Sequence, residues 1–201
     1  MNFKRIFDLV FSVSLGVLFF PLGISIYLII VITMGFPGLF KQKRPGKNEK
    51  IFTLYKFRTM KNIKDVNGKL IKDDKRATSL GKVLRKTSLD ELPSLFNVIC
   101  GNMSFVGPRP LLIQYLKHYS NEQAKRHNVK PGITGWAQIN GRNELDWESK
   151  FKLDIWYVEN QSFILDLKIM FITIKKVLTF DGINAPGDQP VKEFIGNYKE
   201  N

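Results

Sequence analysis

LVFSVSLGVLFFPLGISIYLIIVITMGF, the stretch from Leu9 to Phe36, contains no charged residue and is rich in Phe, Leu and Ile. A helix needs roughly 20 apolar residues to cross the hydrocarbon core of a bilayer, and this run is long enough. A cleaved signal peptide is shorter and ends in small residues, and a buried core helix of a soluble domain fits such a long uncharged run poorly. We therefore predict that this segment lies in a membrane.

Pro21, near the middle of the run, bears on whether the helix spans the membrane or enters and leaves on one side. Proline removes a backbone donor and tends to kink a helix. At 1.5 Å per residue the halves before and after it measure about 18 and 22 Å, each too short for about 30 Å of hydrocarbon. Positive charge marks the cytoplasmic side of a membrane, and here it flanks the run on both sides, at Lys4, Arg5, Lys41, Lys43, Arg44, Lys47 and Lys50. The pattern favours a bent, re-entrant helix over a kinked helix that spans.

The size and charge of the chain limit the number of further domains and the kind of partner. The 201 residues suffice for one compact domain, so we divide the chain into a membrane helix at 1–40 and one polar domain at 41–201. A net charge of +13 calls for an anionic partner: nucleic acid, lipid headgroups or a phosphorylated substrate. The single Cys100 excludes an internal disulfide and a Cys-based zinc site, and favours a reducing, cytoplasm-facing location.

The polar domain carries three recognisable segments. Ile51–Met60 is rich in aromatic and β-branched residues and predicts a strand on which Lys56 and Arg58 share a face. Residues 61–76 predict a charged surface loop with some helix. Phe163–Leu178 predicts a helix, which either lies in the membrane interface or packs on the core as an ordinary amphipathic helix. The expected fold class is α+β and mainly helical.

SLDELP, from Ser88 to Pro93, is the segment best suited to chemistry. Ser88 and Glu91 match a capping box, so a purely structural role for the acids is a strong alternative. Pro93 fits better if the helix starts at Asp90. In either case a positive helix end is expected to lower the pKa of Asp90 and keep it ionised, as a carboxylate nucleophile or Mg²⁺ ligand must be.

Basic residues and glycines surround the acid pair in the sequence. Arg85 precedes it, and VGPRP holds Arg109 between two prolines that stiffen the backbone. The loop PGITGWAQINGRN, which starts at Pro131, has three glycines that allow positive φ or close backbone approach. It contains Arg142, and an arginine is suited to bidentate contact with phosphate. Each taken alone is well explained as a turn with an exposed arginine. Beside an acid pair and a membrane helix, they together indicate a diphosphate substrate at a lipid surface.

Other candidate residues are weaker. His118 and His127 lack a ligand pattern and favour packing roles. Trp136, Trp147 and Trp156 suit core packing, base stacking or the membrane interface. The sequence has no GxGxxG and no P-loop, which disfavours a nicotinamide enzyme and a P-loop kinase.

Taken together, the motifs resemble the monotopic phosphoglycosyl transferases, bacterial sugar transferases that begin glycan assembly on a polyprenyl phosphate. The matching pieces are KRIFD at Lys4–Asp8, the helix broken at Pro21, QKRPG at Gln42–Gly46, YKFRTM at Tyr55–Met60, SLDELP, SFVGPRP at Ser104–Pro110, the loop from Pro131 to Arg142, and LDLK at Leu165–Lys168. The length and the tail at Phe194–Asn197 resemble the small, PglC-like members.

The resemblance implies a two-step, ping-pong reaction. Asp90 would attack the sugar-bearing phosphate of a UDP-sugar, release UMP and hold the phospho-sugar until undecaprenyl phosphate takes it. Glu91 would help to bind or deprotonate the acceptor, and Mg²⁺ near Asp90 would offset the diphosphate charge. Arg142 is the first candidate for phosphate contact, followed by Arg85, Lys56 and Arg109.

The resemblance also implies a setting: the cytoplasmic face of the bacterial inner membrane, with UDP-sugar, undecaprenyl phosphate and membrane lipid as partners. An N-acetylated amino sugar, protein glycosylation, a homodimer and downstream glycosyltransferases complete these expectations. The chain departs from many relatives in having Phe20, not serine, before Pro21, so Ser25 or water is expected to satisfy the backbone at the break.

The net charge is also compatible with a protein that is not an enzyme. The charge of +13 also suits a non-catalytic, membrane-tethered protein that binds nucleic acid or anionic lipid. The ordered set of motifs favours the enzyme, with no nucleic-acid partner.

Overall fold

The computed structural model describes residues 3–141, 145–179 and 193–196, which form a mixed, mainly helical fold. The helices are α1 (Phe3–Met34), α2 (Asp73–Arg76), α3 (Ser79–Lys86), α4 (Ser94–Ile99), α5 (Asn121–Ala124), α6 (Trp136–Ile139), α7 (Trp147–Glu159) and α8 (Phe163–Leu178). The strands are β1 (Leu39–Pro45), β2 (Ile51–Phe57), β3 (Ser104–Val106) and β4 (Gly132–Thr134). Short 3₁₀ turns lie at Lys47–Glu49, Leu89–Glu91, Ile113–His118 and Lys125–Asn128.

The apolar run forms α1, which continues through Pro21 as one helix. Of the described helices, α1 is the one long and apolar enough to cross a membrane. Proline leaves the carbonyl four residues earlier, that of Val17, without its helical partner. The Ser25 hydroxyl donates instead to the carbonyl of Pro21 itself, at 3.0 Å. The expectation that Ser25 satisfies the freed backbone is therefore wrong.

The first turns of α1 are bound to the polar domain by charged side chains. The Lys4 ammonium lies 2.5 Å from the Asp166 carboxylate on α8. The Arg5 guanidinium donates to the carbonyls of Val98 and Ile99, at 2.5 and 2.7 Å. These carbonyls belong to the last turn of α4, whose negative dipole end attracts a cation.

The last turns of α1 are bound to the same domain by apolar packing. Ile26 and Ile30 are buried in a cluster that includes Phe57 of β2. The buried Arg58 donates to the carbonyl of Gly35 at 2.6 Å and so caps the end of α1. Strand β2 ends before Arg58, so the prediction that Lys56 and Arg58 share a strand face is wrong.

Two small sheets frame the site. β1 and β2 form an antiparallel hairpin in which Leu39 pairs with Phe57 and Pro45 with Ile51. The predicted strand is confirmed over Ile51–Phe57, whereas β1 was not foreseen because its basic residues were assigned to the membrane flank. β3 and β4 are parallel.

The main core joins helices and both sheets through buried side chains. It contains Phe52, Leu54, Leu95, Val98, Met103, Phe105, Val106, Ile139, Tyr157 and Ile169. Because residues of β2, α4 and β3 share this core, the segments that bear the acid pair are held between them.

The predicted helix at Phe163–Leu178 is confirmed as α8, and it has two apolar faces. Ile169 is fully buried in the core, whereas Ile164 and Phe171 are 79% and 72% exposed. The segment at 61–76 is a loop that ends in α2, as predicted.

Candidate active site

The acid pair lies in a tight turn between α3 and α4. Leu89–Glu91 is a 3₁₀ turn, and Ser88 before it is left-handed, with φ 57°. The Ser88 side chain makes no capping hydrogen bond, and α4 begins only at Ser94, with Pro93 as its N-cap. Both predicted helix starts and the capping box are therefore wrong. Pro93 is tolerated because the first amides of a helix need no carbonyl partner.

Glu91 is held by two cations from different elements. The Lys56 ammonium, on β2, lies 2.5 Å from Glu91 Oε1. The Arg109 guanidinium, from the loop after β3, donates to the same oxygen at 3.1 Å. The structure thus brings together three of the predicted site residues.

These contacts decide the ionisation of Glu91. Burial by itself would raise the pKa of its carboxyl, but the positive charges of Lys56 and Arg109 and their hydrogen bonds lower that pKa to about 2. Glu91 is therefore an anion at any physiological pH, and a weak base.

Asp90 has the opposite shift, contrary to the prediction. Burial, followed by the negative charge of Glu91, raises the pKa of Asp90 to about 6, although Lys56, Arg109 and Arg85 act against this. The helix dipole that was expected to lower the pKa is absent because Asp90 lies in a 3₁₀ turn ahead of α4. With a pKa of about 6, Asp90 is mostly ionised at neutral pH, and within the described residues its carboxylate forms no ion pair.

Arg85 approaches the pair from α3. Its Nε donates to Thr59 Oγ1 at 3.0 Å, and its charge lowers the pKa of Asp90. Arg85 thus acts on Asp90 through its charge, whereas Lys56 and Arg109 contact Glu91 directly. Arg142, the first candidate for phosphate contact, lies outside the described residues.

A buried network that sequence reasoning missed positions Arg109. Arg126 donates from Nη2 to the backbone carbonyl of Arg109 at 2.7 Å and forms a buried ion pair with Asp154 of α7, also at 2.7 Å. No motif marks this pair, because its two members lie in different elements and become neighbours only in the fold.

An open cavity of about 70 Å³ lies beside the pair, and the side chains that line it include Arg44, Lys56, Glu91 and Arg109. Arg44 was not predicted as a site residue. The QKRPG motif could have indicated Arg44, but because it follows the apolar run, its basic residues were interpreted as the flank of the membrane helix.

The predicted glycine-rich loop brings backbones together. A side chain on Gly132 would place its Cβ 2.1 Å from the Gly107 nitrogen, and one on Gly135 would lie 2.2 Å from the Gly107 carbonyl oxygen. The expected close backbone approach is therefore confirmed at these two glycines. They let β4 pack against the segment that leads to Arg109.

The remaining candidates have packing roles. His127 is buried, its Nδ1 lies 3.2 Å from the Gly46 carbonyl, and burial lowers the pKa of its imidazole to about 4. His118 lies against Phe194, and the rings of Trp136 and Trp156 stack at 4.7 Å.

A magnesium ion would have few protein ligands in the described part of the chain. No three His, Cys, Asp or Glu side chains converge there. Mg²⁺ commonly uses one or two carboxylates together with substrate phosphates and waters, so Asp90 beside a diphosphate fits that ion.

The chain is similar to known sugar transferases along most of its length. Residues 1–180 match the family model for bacterial sugar transferases. "Uncharacterized sugar transferase EpsL" of Bacillus subtilis (strain 168) is 50% identical over 197 residues, which cover 98% of each chain.

Longer relatives carry more specific names. The undecaprenyl-phosphate galactose phosphotransferase of Salmonella typhimurium is 40% identical over 89% of this chain, and the match covers 41% of the relative. The UDP-glucose:undecaprenyl-phosphate glucose-1-phosphate transferase of Escherichia coli (strain K12) is 40% identical over 86% of this chain and 39% of the relative. The chain thus spans about two fifths of these two enzymes. Since both the family model and a relative of equal length match nearly throughout, the chain belongs to the bacterial sugar transferase family.

Proposed function

We propose that this chain transfers a sugar phosphate from a UDP-sugar to undecaprenyl phosphate and releases UMP. The observation that carries the proposal is the Asp90 carboxylate next to Glu91, whose ion partners Lys56 and Arg109 line a cavity together with Glu91 itself. The names of two relatives, which describe sugar phosphate transfer to undecaprenyl phosphate, support the substrate classes.

The proposed first step forms a covalent intermediate. A carboxylate oxygen of Asp90 attacks the phosphorus that carries the sugar, and the bond from that phosphorus to the bridging oxygen breaks. UMP leaves with the bridging oxygen, and the sugar phosphate stays on Asp90 as an acyl phosphate. A carboxylate nucleophile divides one difficult transfer into two easier ones.

The proposed second step frees the enzyme. An oxygen of undecaprenyl phosphate attacks the same phosphorus, and the bond to Asp90 breaks. The product is a lipid diphosphate that carries the sugar. The cations at the site offset negative charge that builds up on the phosphoryl oxygens in both steps.

We assign Glu91 to binding. A carboxyl whose pKa is about 2 is a weak base, so it does little to deprotonate the acceptor. Its ion pairs with Lys56 and Arg109 fix where those two cations point. Arg85 and Arg142 complete the proposed phosphate contacts.

Mg²⁺ stays part of the proposal, held by Asp90 and by the diphosphate. It would supply positive charge against the phosphate oxygens. Glu91 Oε1 is already shared by Lys56 and Arg109, so Asp90 is the better ligand.

The re-entrant membrane helix at 1–40, with a catalytic domain at 41–201 on the cytoplasmic face of the inner membrane, is also proposed. Two attachments support it, because Arg5 near one end of α1 and Ile30 near the other both contact the same domain. The middle of the helix, by contrast, exposes apolar side chains such as Val17 and Phe20. A spanning helix would carry its ends to opposite sides of the membrane.

An N-acetylated amino sugar is the proposed donor sugar, with protein glycosylation as its use. The relatives named for galactose and glucose make those two sugars the direct competitors. A homodimer and downstream glycosyltransferases are the proposed protein partners.

The test uses detergent-solubilised protein with Mg²⁺, undecaprenyl phosphate and a panel of UDP-sugars that includes glucose, galactose and their N-acetylated amino forms. Release of UMP is expected, and release of UDP would instead indicate ordinary glycosyl transfer. Donor alone should leave a sugar phosphate on Asp90, detected by mass spectrometry of the intact protein. Full turnover by the Asp90→Asn variant would remove Asp90 as the nucleophile.

A further inference from the structure

Arg44 reaches the cavity from the hairpin strand that faces β2. In the antiparallel register Phe40 pairs with Lys56 and Arg44 with Phe52, so Arg44 and Lys56 project from the same face of the hairpin. Both side chains line the cavity beside Glu91. The hairpin therefore delivers two cations to one wall of the site.

The hydrogen bonds of Arg44 leave much of its guanidinium unused. Its Nη1 donates to the Pro110 carbonyl at 3.2 Å, and its Nη2 donates to Gln42 Oε1 at 2.6 Å. Its Nε is buried and has no hydrogen-bond partner among the residues that the structure describes. A guanidinium has five N–H donors, and a buried donor without a partner is costly.

Arg44 also lacks a neutralising charge. No carboxylate of the described residues lies within ion-pair distance of it, whereas Lys56 and Arg109 share Glu91. Its neighbour of like charge is Arg109, and burial together with that charge lowers the pKa of Arg44 to about 10. Two guanidiniums lie beside one cavity, and in the described part of the chain a carboxylate pairs with only one of them. Such a pair favours an anion with several oxygens.

We propose that Arg44 is a phosphate-binding residue, which together with Arg109 holds a phosphoryl group of a substrate against the Pro110 side of the cavity. The identity of that substrate rests on the proposed function, where the group belongs either to the diphosphate of the UDP-sugar or to the lipid phosphate. Arginine is suited to the role because its planar fork matches phosphate oxygens.

The kinetic test compares Arg44→Gln with Lys43→Gln. Lys43 is the matched control, since it precedes Arg44 on β1, is exposed and projects from the opposite face. Arg44→Gln should raise the KM for one substrate at least about tenfold relative to Lys43→Gln, with the KM for the other within about twofold. A change for UDP-sugar identifies the donor diphosphate, and a change for undecaprenyl phosphate identifies the lipid phosphate.

Two further measurements separate binding from a structural role. Arg44→Lys should recover part of the lost affinity, because it restores the charge without the fork. Melting temperatures should agree between Arg44→Gln and Lys43→Gln. Unchanged KM values for both substrates, or an effect confined to kcat, would overturn the inference.

A binding measurement keeps the inference separate from the proposed reaction. Titration of the detergent-solubilised protein with inorganic pyrophosphate needs no turnover. Weaker binding by Arg44→Gln than by Lys43→Gln supports the subsite even if no UDP-sugar yields UMP. Equal affinities overturn it even if the enzyme is active.

Discussion

At the scale of single residues, neighbouring carboxyls of the acid pair differ in pKa because the cations bind only one of them. Lys56 and Arg109 both contact Glu91 Oε1, so the pKa of Glu91 falls to about 2 despite burial. Asp90 receives their charge only at a distance, and burial raises its pKa to about 6. The pair therefore consists of a fixed counter-ion and a carboxyl with a raised pKa, a contrast that is common at functional sites.

Asp90→Asn should stabilise the folded protein while it abolishes turnover. A pKa raised from 3.8 to about 6 means that the folded state binds the proton more tightly than the unfolded state. Ionised Asp90 therefore costs stability at neutral pH, by at most about 3 kcal/mol and less if Glu91 relaxes. The measurement is the melting temperature in detergent without Mg²⁺ or donor, at pH 7.5.

The pH dependence provides the control for this variant. Stability of the parent protein from this group falls as the pH rises from about 4 to about 6. Well below pH 4, Asp90 is protonated in both the folded and the unfolded protein, so the difference in melting temperature between the parent and Asp90→Asn should vanish. A variant that melts lower than the parent at pH 7.5 would contradict the raised pKa.

Lys56→Met should move the acidic limb of the pH–activity profile to higher pH. Lys56 lowers the pKa of Asp90, so its removal leaves burial and Glu91 less opposed. The readout is the burst of UMP released from donor alone, which keeps titration of the lipid phosphate out of the profile. The parent should lose the burst as the pH falls through about 6, and Lys56→Met at a higher pH. The exposed Lys43→Met should match the parent, and an unmoved limb in Lys56→Met would contradict the assignment.

At the scale of elements, the sequence predicted the helices and strands that have a clear local pattern of residues. The apolar run, β2 and α8 each have a local pattern, and the structure has all three. The sequence did not reveal β1, because its charged residues resemble the flank of a membrane helix. It did not reveal the turn at Leu89–Glu91 either, because SLDELP matches the capping pattern of a helix start. Arg44 and Arg126 were not predicted as site residues, because their hydrogen-bond partners lie in distant segments of the chain.

Gly81 lets α3 bring Arg85 to the acid pair. A Cβ on Gly81 would lie 1.9 Å from the Thr59 carbonyl oxygen, and Arg85 donates to the Thr59 hydroxyl. Gly81→Ala should therefore push α3 away, cost about 1–3 kcal/mol of stability and slow UMP release. Thermal melting and the donor burst measure the two effects.

Gly16→Ala is the matched control for that substitution. Gly16 lies within α1, and its Cβ would meet no atom within 4 Å. Because alanine favours helix, stability should stay the same or rise slightly. Similar losses in both variants would show that the contact with Thr59 is not the cause.

At the scale of the whole molecule, the exposed apolar surfaces of α1 and α8 meet. Phe3 and Phe7 of α1 both lie edge-on against Phe163 at the start of α8, with ring centroids 4.9 and 5.1 Å apart. Exposed Ile164 and Phe171 of α8 extend this surface. Apolar side chains that are exposed on two helices in contact suit a protein that rests in one leaflet, and they support the interfacial choice for α8.

A re-entrant α1 predicts that both termini face the cytoplasm. Single cysteines at positions 2 and 201, in a Cys100→Ser background because Cys100 is exposed, should both be labelled by a membrane-impermeant maleimide in inverted vesicles. In right-side-out vesicles or cells both should be protected. The physical reason is that Arg5 and Ile30 hold opposite ends of α1 on one domain, which cannot occupy both sides of a bilayer. Labelling of position 2 from outside and of position 201 from inside would mean that α1 spans, and that these attachments open in the membrane.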